Sequence, residues 1–243
     1  MLSDPLVALA LTAAIAHLGG FVRGVTGFGA ALAITPLLTL YTPPQVVVPS
    51  IVLATAFTNL PFMYRSFRAV DLKAVIFLAC GAVAGLPVGL ALLTLLDPEP
   101  LKRVIGLCVI ASVIALQLSR RFAIRPGRWR AASFGLVSGI VNGVSGLGGP
   151  PGVLYAVVTG MRPEVARATL MFYFGVVSAL TGVMMAASGL LTTEALVGAL
   201  TVAPGLLIGG YLGEIAFKRM HATHFRHATM GLLILSGLLA VVA

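Results

Sequence analysis

Apolar runs follow one another along this chain, separated by short punctuation of charge, proline or glycine. Segments of roughly 17 to 25 apolar residues recur, the length a helix needs to cross about 30 Å of hydrocarbon. Read between the breaks, the pattern predicts ten helical elements: 6–22, 24–41, 45–64, 72–96 and 101–118, then 131–144, 150–161, 165–187, 195–217 and 225–242. A polar segment, 119–130, carries five arginines and divides the ten into two sets of five. The sixth and seventh elements are well short of the roughly 20 residues of a full span, so that pair reads as broken or re-entrant helices. In the first set, too, neither of the corresponding elements makes a comfortable uninterrupted span.

Composition turns this pattern into a class. Hydrophobic residues make up 59% of the chain and charged residues 9%, where soluble domains are about a quarter charged. The expectation is an all-α polytopic membrane protein with no room for a soluble domain. The net charge of +9, from 16 Lys and Arg against 7 Asp and Glu, belongs in cytoplasmic loops and is not a nucleic-acid footprint. The basic loops 65–73, 119–130 and 217–226 are expected inside, and 97–103 and 188–194 outside. Both termini then lie outside, and the two sets start from opposite faces. This gives two inverted-topology repeats, each a broken or re-entrant helix pair followed by three transmembrane helices: 1–118, a basic cytoplasmic linker at 119–130, and 131–243. The first apolar segment lacks a basic flank and an A-x-A site, so it reads as a retained helix. Cys80 and Cys108 stand alone and read as packing residues.

One phrase occurs twice, GVTGFGA at 24–30 and GVSGLGG at 143–149, 119 residues apart. Pro44 and Val46 fall on Pro163 and Val165 at the same offset, and GLPVG at 85–89 resembles GLLIG at 205–209 with one residue of slippage. Each glycine in a helix interior costs about 1 kcal/mol relative to alanine, so three or four within seven residues favour unwinding. Pro150 and Pro151 after the second copy, and Pro36 after the first, remove further donors. Unwound backbone cannot face lipid and must line a cavity, where free N–H groups and helix dipoles favour an anion.

The candidate binding residues follow: Gly24, Thr26, Gly27 and Gly29 in the first copy, and Gly143, Ser145, Gly146, Gly148, Gly149 and Pro150 in the second. Thr26 and Ser145 would each add a hydroxyl donor. Arg23 precedes the first copy and Asn142 the second, the arginine a natural counter-charge for a sulfonate, sulfite or carboxylate. Asn59, with Thr58 and Ser178, adds candidate polar wall. The competing readings are glycines as close-packing points, hydroxyls and amides as interhelical hydrogen bonds, and an arginine that snorkels to the interface. His17 is a candidate proton relay, set against a histidine bonded to a neighbouring helix. His221, His224 and His227 sit among Lys218, Arg219 and Arg226 and read as a basic loop; no metal or cofactor is expected. Arg162, Glu164 and Arg167 read as a cytoplasmic anchor, and Glu214 as a partner of Lys218 one turn on.

GVTGFGA followed by a proline, GVSGLGGPP, the basic central segment and PEVARAT at 163–169 together resemble the TauE/SafE family, also called the toluene sulfonate uptake permease family, over essentially the whole chain. The resemblance implies a bacterial inner-membrane protein that moves sulfite, sulfoacetate and other organosulfonates or small carboxylate-bearing anions, mostly outward. It places the substrate region at 24–29 and 143–150. Ala30 departs from the pattern, standing where the second copy has a third close glycine. The expected function is a secondary exporter of small anions, working by alternating access as one repeat rocks against the other. A passive anion channel is the alternative, and an intramembrane enzyme is disfavoured because titratable clusters are missing from the apolar segments. The expected partners are the small anion and the lipid bilayer; a homo-oligomer is compatible with the reading, and the anion's identity stays open.

Overall fold

A computed structural model describes residues 5–119 and 122–219. Among these residues the chain forms α1 (Pro5–Thr26), α2 (Ala30–Leu38), α3 (Pro44–Ser66), α4 (Leu72–Leu95), α5 (Pro98–Leu118), α6 (Arg128–Ser145), α7 (Gly149–Val158), α8 (Pro163–Ala187) and α9 (Thr193–Arg219), with one 3-10 turn at Phe67–Ala69. Among the described residues six helices are long and apolar enough to cross a membrane: α1, α3, α4, α5, α8 and α9. The expected element at 225–242, the three histidines of 221–227 and the Lys218 side chain lie outside what is described. Prolines open α3, α5, α7 and α8, where the missing N–H would have no helical partner anyway.

Several boundaries differ from the sequence reading, the second element shrinking from 24–41 to Ala30–Leu38 among them, and two of the differences bear on the site. The first helix continues through Gly24 to Thr26 and is a full-length span, because neighbouring helices fill the space its glycines leave. Helix α6 begins at Arg128, inside the segment read as linker.

Both short helices turn back along the helix before them. Thr12 on α1 and Tyr41 beyond α2 share a hydrogen bond between their hydroxyls at 3.0 Å. Just before α6, the Ile124 N–H in the central segment donates to the Val158 carbonyl at the end of α7, at 2.8 Å. Helices α3 and α8 run antiparallel, with Thr55 opposite Ser178 and a methyl of Leu53 against Gly182.

Two helix pairs meet backbone to backbone. In lipid there is no hydrophobic gain from bringing apolar helices together, so close approach through small residues carries the association. On α4, a Cβ added to Gly81, Gly85 or Gly89 would lie 2.0, 2.2 and 2.2 Å from the carbonyls of Ala132, Leu136 and Ile140 on α6. From the other side, a Cβ on Gly135 or Gly139 would lie 2.0 and 2.1 Å from the Leu78 and Ala82 carbonyls. Helices α1 and α9 repeat the contact: a Cβ on Gly24 would lie 2.1 Å from the Gly210 carbonyl, and on Gly209 or Gly213 2.2 and 2.3 Å from those of His17 and Phe21.

His17 and Phe21 stand 119 residues before Leu136 and Ile140, and they are met by Gly209 and Gly213 where the latter are met by Gly85 and Gly89. In the packing Gly209 takes the place at α1 that Gly85 takes at α6, a different pairing from the one-residue slippage at which GLPVG and GLLIG resemble each other.

Gly85→Ala should force α4 and α6 apart and cost about 1–3 kcal/mol, lowering the thermal unfolding midpoint of detergent-purified protein. Gly182→Ala, whose Cβ meets only a Leu53 methyl at 3.6 Å, should leave that midpoint unchanged.

Candidate functional site

The two glycine phrases end two helices in the same way. Gly27 donates its N–H to the Arg23 carbonyl at 2.7 Å and Gly146 to that of Asn142 at 2.8 Å, and both have left-handed backbone, φ 81° and 71°. Gly29 is left-handed as well, at φ 93°. A side chain at these positions would strain the turn.

Thr26 and Ser145 hold the turns. The Thr26 hydroxyl donates to the Val22 carbonyl at 2.8 Å and accepts from the Phe28 N–H at 3.2 Å. The Ser145 hydroxyl donates to the Val141 carbonyl at 2.6 Å and accepts from the Leu147 N–H at 3.3 Å. Both hydroxyls are engaged by backbone groups of their own break, Thr26 also with the Phe28 carbonyl.

Between the breaks lies a cavity of about 60 Å³. One water needs roughly 10–15 Å³ on such a measure, so the space suits a few waters or one compact solute. Of the expected residues, Arg23, Gly24, Gly27, Gly29, Asn59, Asn142, Gly146, Gly148, Gly149 and Ser178 line it; Thr26, Gly143, Ser145, Pro150 and His17 do not. Gly143 is spent on packing, since a Cβ there would lie 2.8 Å from the Cα of Gly89. Pro150 and Pro151 occupy the first turn of α7 and bring no N–H to the cavity. The opposite half-helix brings more, since Gly29, Ala30 and Ala31 all line the wall and the first N–H groups of α2 have no partner within their helix. The residue that departs from the family phrase, Ala30, is one of them.

Arg23 is buried and its head does not snorkel. One guanidinium nitrogen donates to the Thr58 hydroxyl at 2.8 Å and the Asn59 side-chain oxygen at 3.0 Å, the other to the Leu206 carbonyl at 3.2 Å. The Phe62 ring lies beneath it, 5.1 Å from centroid to guanidinium carbon. Every one of these partners is neutral. Asn142, at the matching place, donates to the Thr181 hydroxyl at 2.7 Å and accepts from the Gly148 N–H at 3.1 Å. Thr181 stands 119 residues after Phe62, so a cation over a ring in one half answers to an amide on a hydroxyl in the other.

Three further expectations change. His17 bonds the Ala13 carbonyl of its own helix at 2.7 Å, away from the cavity. Cys80 is exposed rather than packed, while Cys108 lies against the core. Arg167 turns inward: it donates to the Gly24 carbonyl at 3.1 Å, so it serves the first break and not a surface anchor. The sequence reading missed the aromatic wall of Phe28, Phe62 and Phe174, because an isolated phenylalanine in an apolar run carries no signal of which face it takes.

Six helices able to cross a membrane, and a buried cation beside a small cavity between two broken helices, define a multi-pass membrane protein with a polar interior site. The family model described as sulfite exporter TauE/SafE matches residues 12–240, and the chain belongs to that family, one of anion-exporting transporters. No curated protein and no solved structure matches the chain.

Asn142→Leu should strip the Gly148 N–H of its acceptor at similar side-chain volume. An unsatisfied buried donor costs about 1–3 kcal/mol, and a fall in the thermal midpoint greater than that of Thr181→Val is the expected outcome.

Proposed function

We propose that this protein is a secondary transporter that exports small anions such as sulfite, sulfoacetate or other organosulfonates across a bacterial inner membrane. The observation that carries the reading is Arg23, a buried guanidinium on the cavity wall whose hydrogen-bond partners are all neutral. A charge withdrawn from water and left uncompensated costs several kcal/mol, and an anion in the cavity offsets that cost. The first amides of α2, which have no acceptor within their own helix, add donors on the same wall, and the cavity's size favours a compact anion.

Alternating access supplies the mechanism. The two halves, 1–118 and 131–243, act as inverted repeats, supported by the antiparallel α3 and α8 and by breaks of the same construction 119 residues apart. The bodies that move are the zipped pairs, α1 with α9 and α4 with α6, each carrying its hairpin. The basic loops mark the cytoplasmic face, and a negative interior drives an anion outward by about 2.3 kcal/mol per charge per 100 mV.

Purified protein should show a thermal shift and saturable flux with sulfite or sulfoacetate in reconstituted vesicles. Arg23→Gln should weaken apparent affinity about 10- to 100-fold, the worth of a charge-assisted contact of roughly 1.5–3 kcal/mol, and Arg23→Lys should lose less. A response to a cation or neutral solute, with silence across the anions, overturns the reading; flux that never saturates favours a passive channel.

A further inference from the structure

Corresponding places at the two breaks are filled by very different side chains. A Cβ on Gly27 would lie 3.1 Å from Cγ of Arg167; a Cβ on Gly146 would lie 3.8 Å from a methyl of Val48, and Arg167 stands 119 residues after Val48. The first break therefore carries a cation where the second carries a valine. Val48 and Val52 belong to a buried apolar cluster with Leu147 of the second break and Ile105 and Val109 of α5.

The fastenings differ as well. Tyr173 donates to the Ser138 hydroxyl at 2.8 Å, Ser138 donates to the Gly148 carbonyl, and Asn142 accepts from the Gly148 N–H. The second break is thus tied to helices on both of its sides by short, fully packed groups. Across from α8, the first break is tied by the Arg167 guanidinium on the Gly24 carbonyl, at the end of a long flexible stem. Gly24 and Gly27 line the cavity while Arg167 does not, so the arginine sits behind the wall they make.

From this geometry we infer that Arg167 is the latch of a gate at the first break, and that the cavity opens past it toward the membrane face carrying the start of α8. Thr169, two residues on, accepts from the Asp71 N–H, so that face is the one with the basic 65–73 loop. Loss of the bond to the Gly24 carbonyl releases the break. This rests on the cavity being a transport site, but the gate can be tested without substrate.

The experiment uses the full chain in sided membrane vesicles, with Cys80→Ser and Cys108→Ser removing native thiols and Ser178→Cys placing one on the cavity wall. A membrane-impermeant maleimide is the probe. Arg167→Met should raise labelling several-fold from the 65–73 face and leave labelling from the other face unchanged. Unchanged labelling, or an equal rise from both faces, overturns the latch. Should Arg167→Met fail to fold, Arg167→Lys should give a smaller one-sided rise, and its absence is equally fatal. Vesicles that show the one-sided rise yet move no anion overturn the transport reading alone.

Discussion

Peptide groups cannot be left unpaired in hydrocarbon, and the rest of this structure depends on how that requirement is met at two places where the helix stops. At each break a hydroxyl, Thr26 or Ser145, bonds both the turn before it and the N–H after it. Left-handed glycines then reverse the chain in a few residues. The cavity lies between these two reversals, with Arg23, Asn59 and Asn142 on its wall.

Near-symmetry makes the departures from it informative. The same positions carry Arg23 and Asn142, Phe62 and Thr181, Arg167 and Val48. In each case the first member handles charge and the second closes hydrogen bonds or apolar contacts. The first break holds both cations, while the second is bound by side chains that are neutral throughout. Two breaks of similar backbone thus differ in electrostatics, with one cation from each half of the sequence gathered at the first.

The helical membrane class was legible in the apolar runs, because 20-residue periods of hydrocarbon leave no other reading. Helix ends fall at the two glycine phrases, and the cavity between them is lined by Arg23 and Asn142 but not by Gly143 or Pro150. The failures share one cause. Glycine serves both a turn and a close helix contact, and the phrase GVSGLGG does not say where one use ends: Gly143 packs against α4 while Gly146 turns the chain. Hydroxyls are ambiguous in the same way, since Thr26 and Ser145 reach a backbone carbonyl four residues back before they reach any ligand. Arg167 was misplaced because its position near a helix start suggests an interface, and only the fold shows that another helix's break lies within its reach.

The glycine stripes also bear on how such a chain comes to exist at all. Helix α1 finds its stripe partner in α9 and α4 finds its partner in α6, so each half of the sequence leaves the membrane-facing factory with two bare seams and no way to close either. Half of this chain is not half of this protein. The earlier helices must wait, unsealed in the bilayer, until the later ones are inserted beside them, which makes a single continuous polypeptide the surest means of keeping the seams from closing on a stranger.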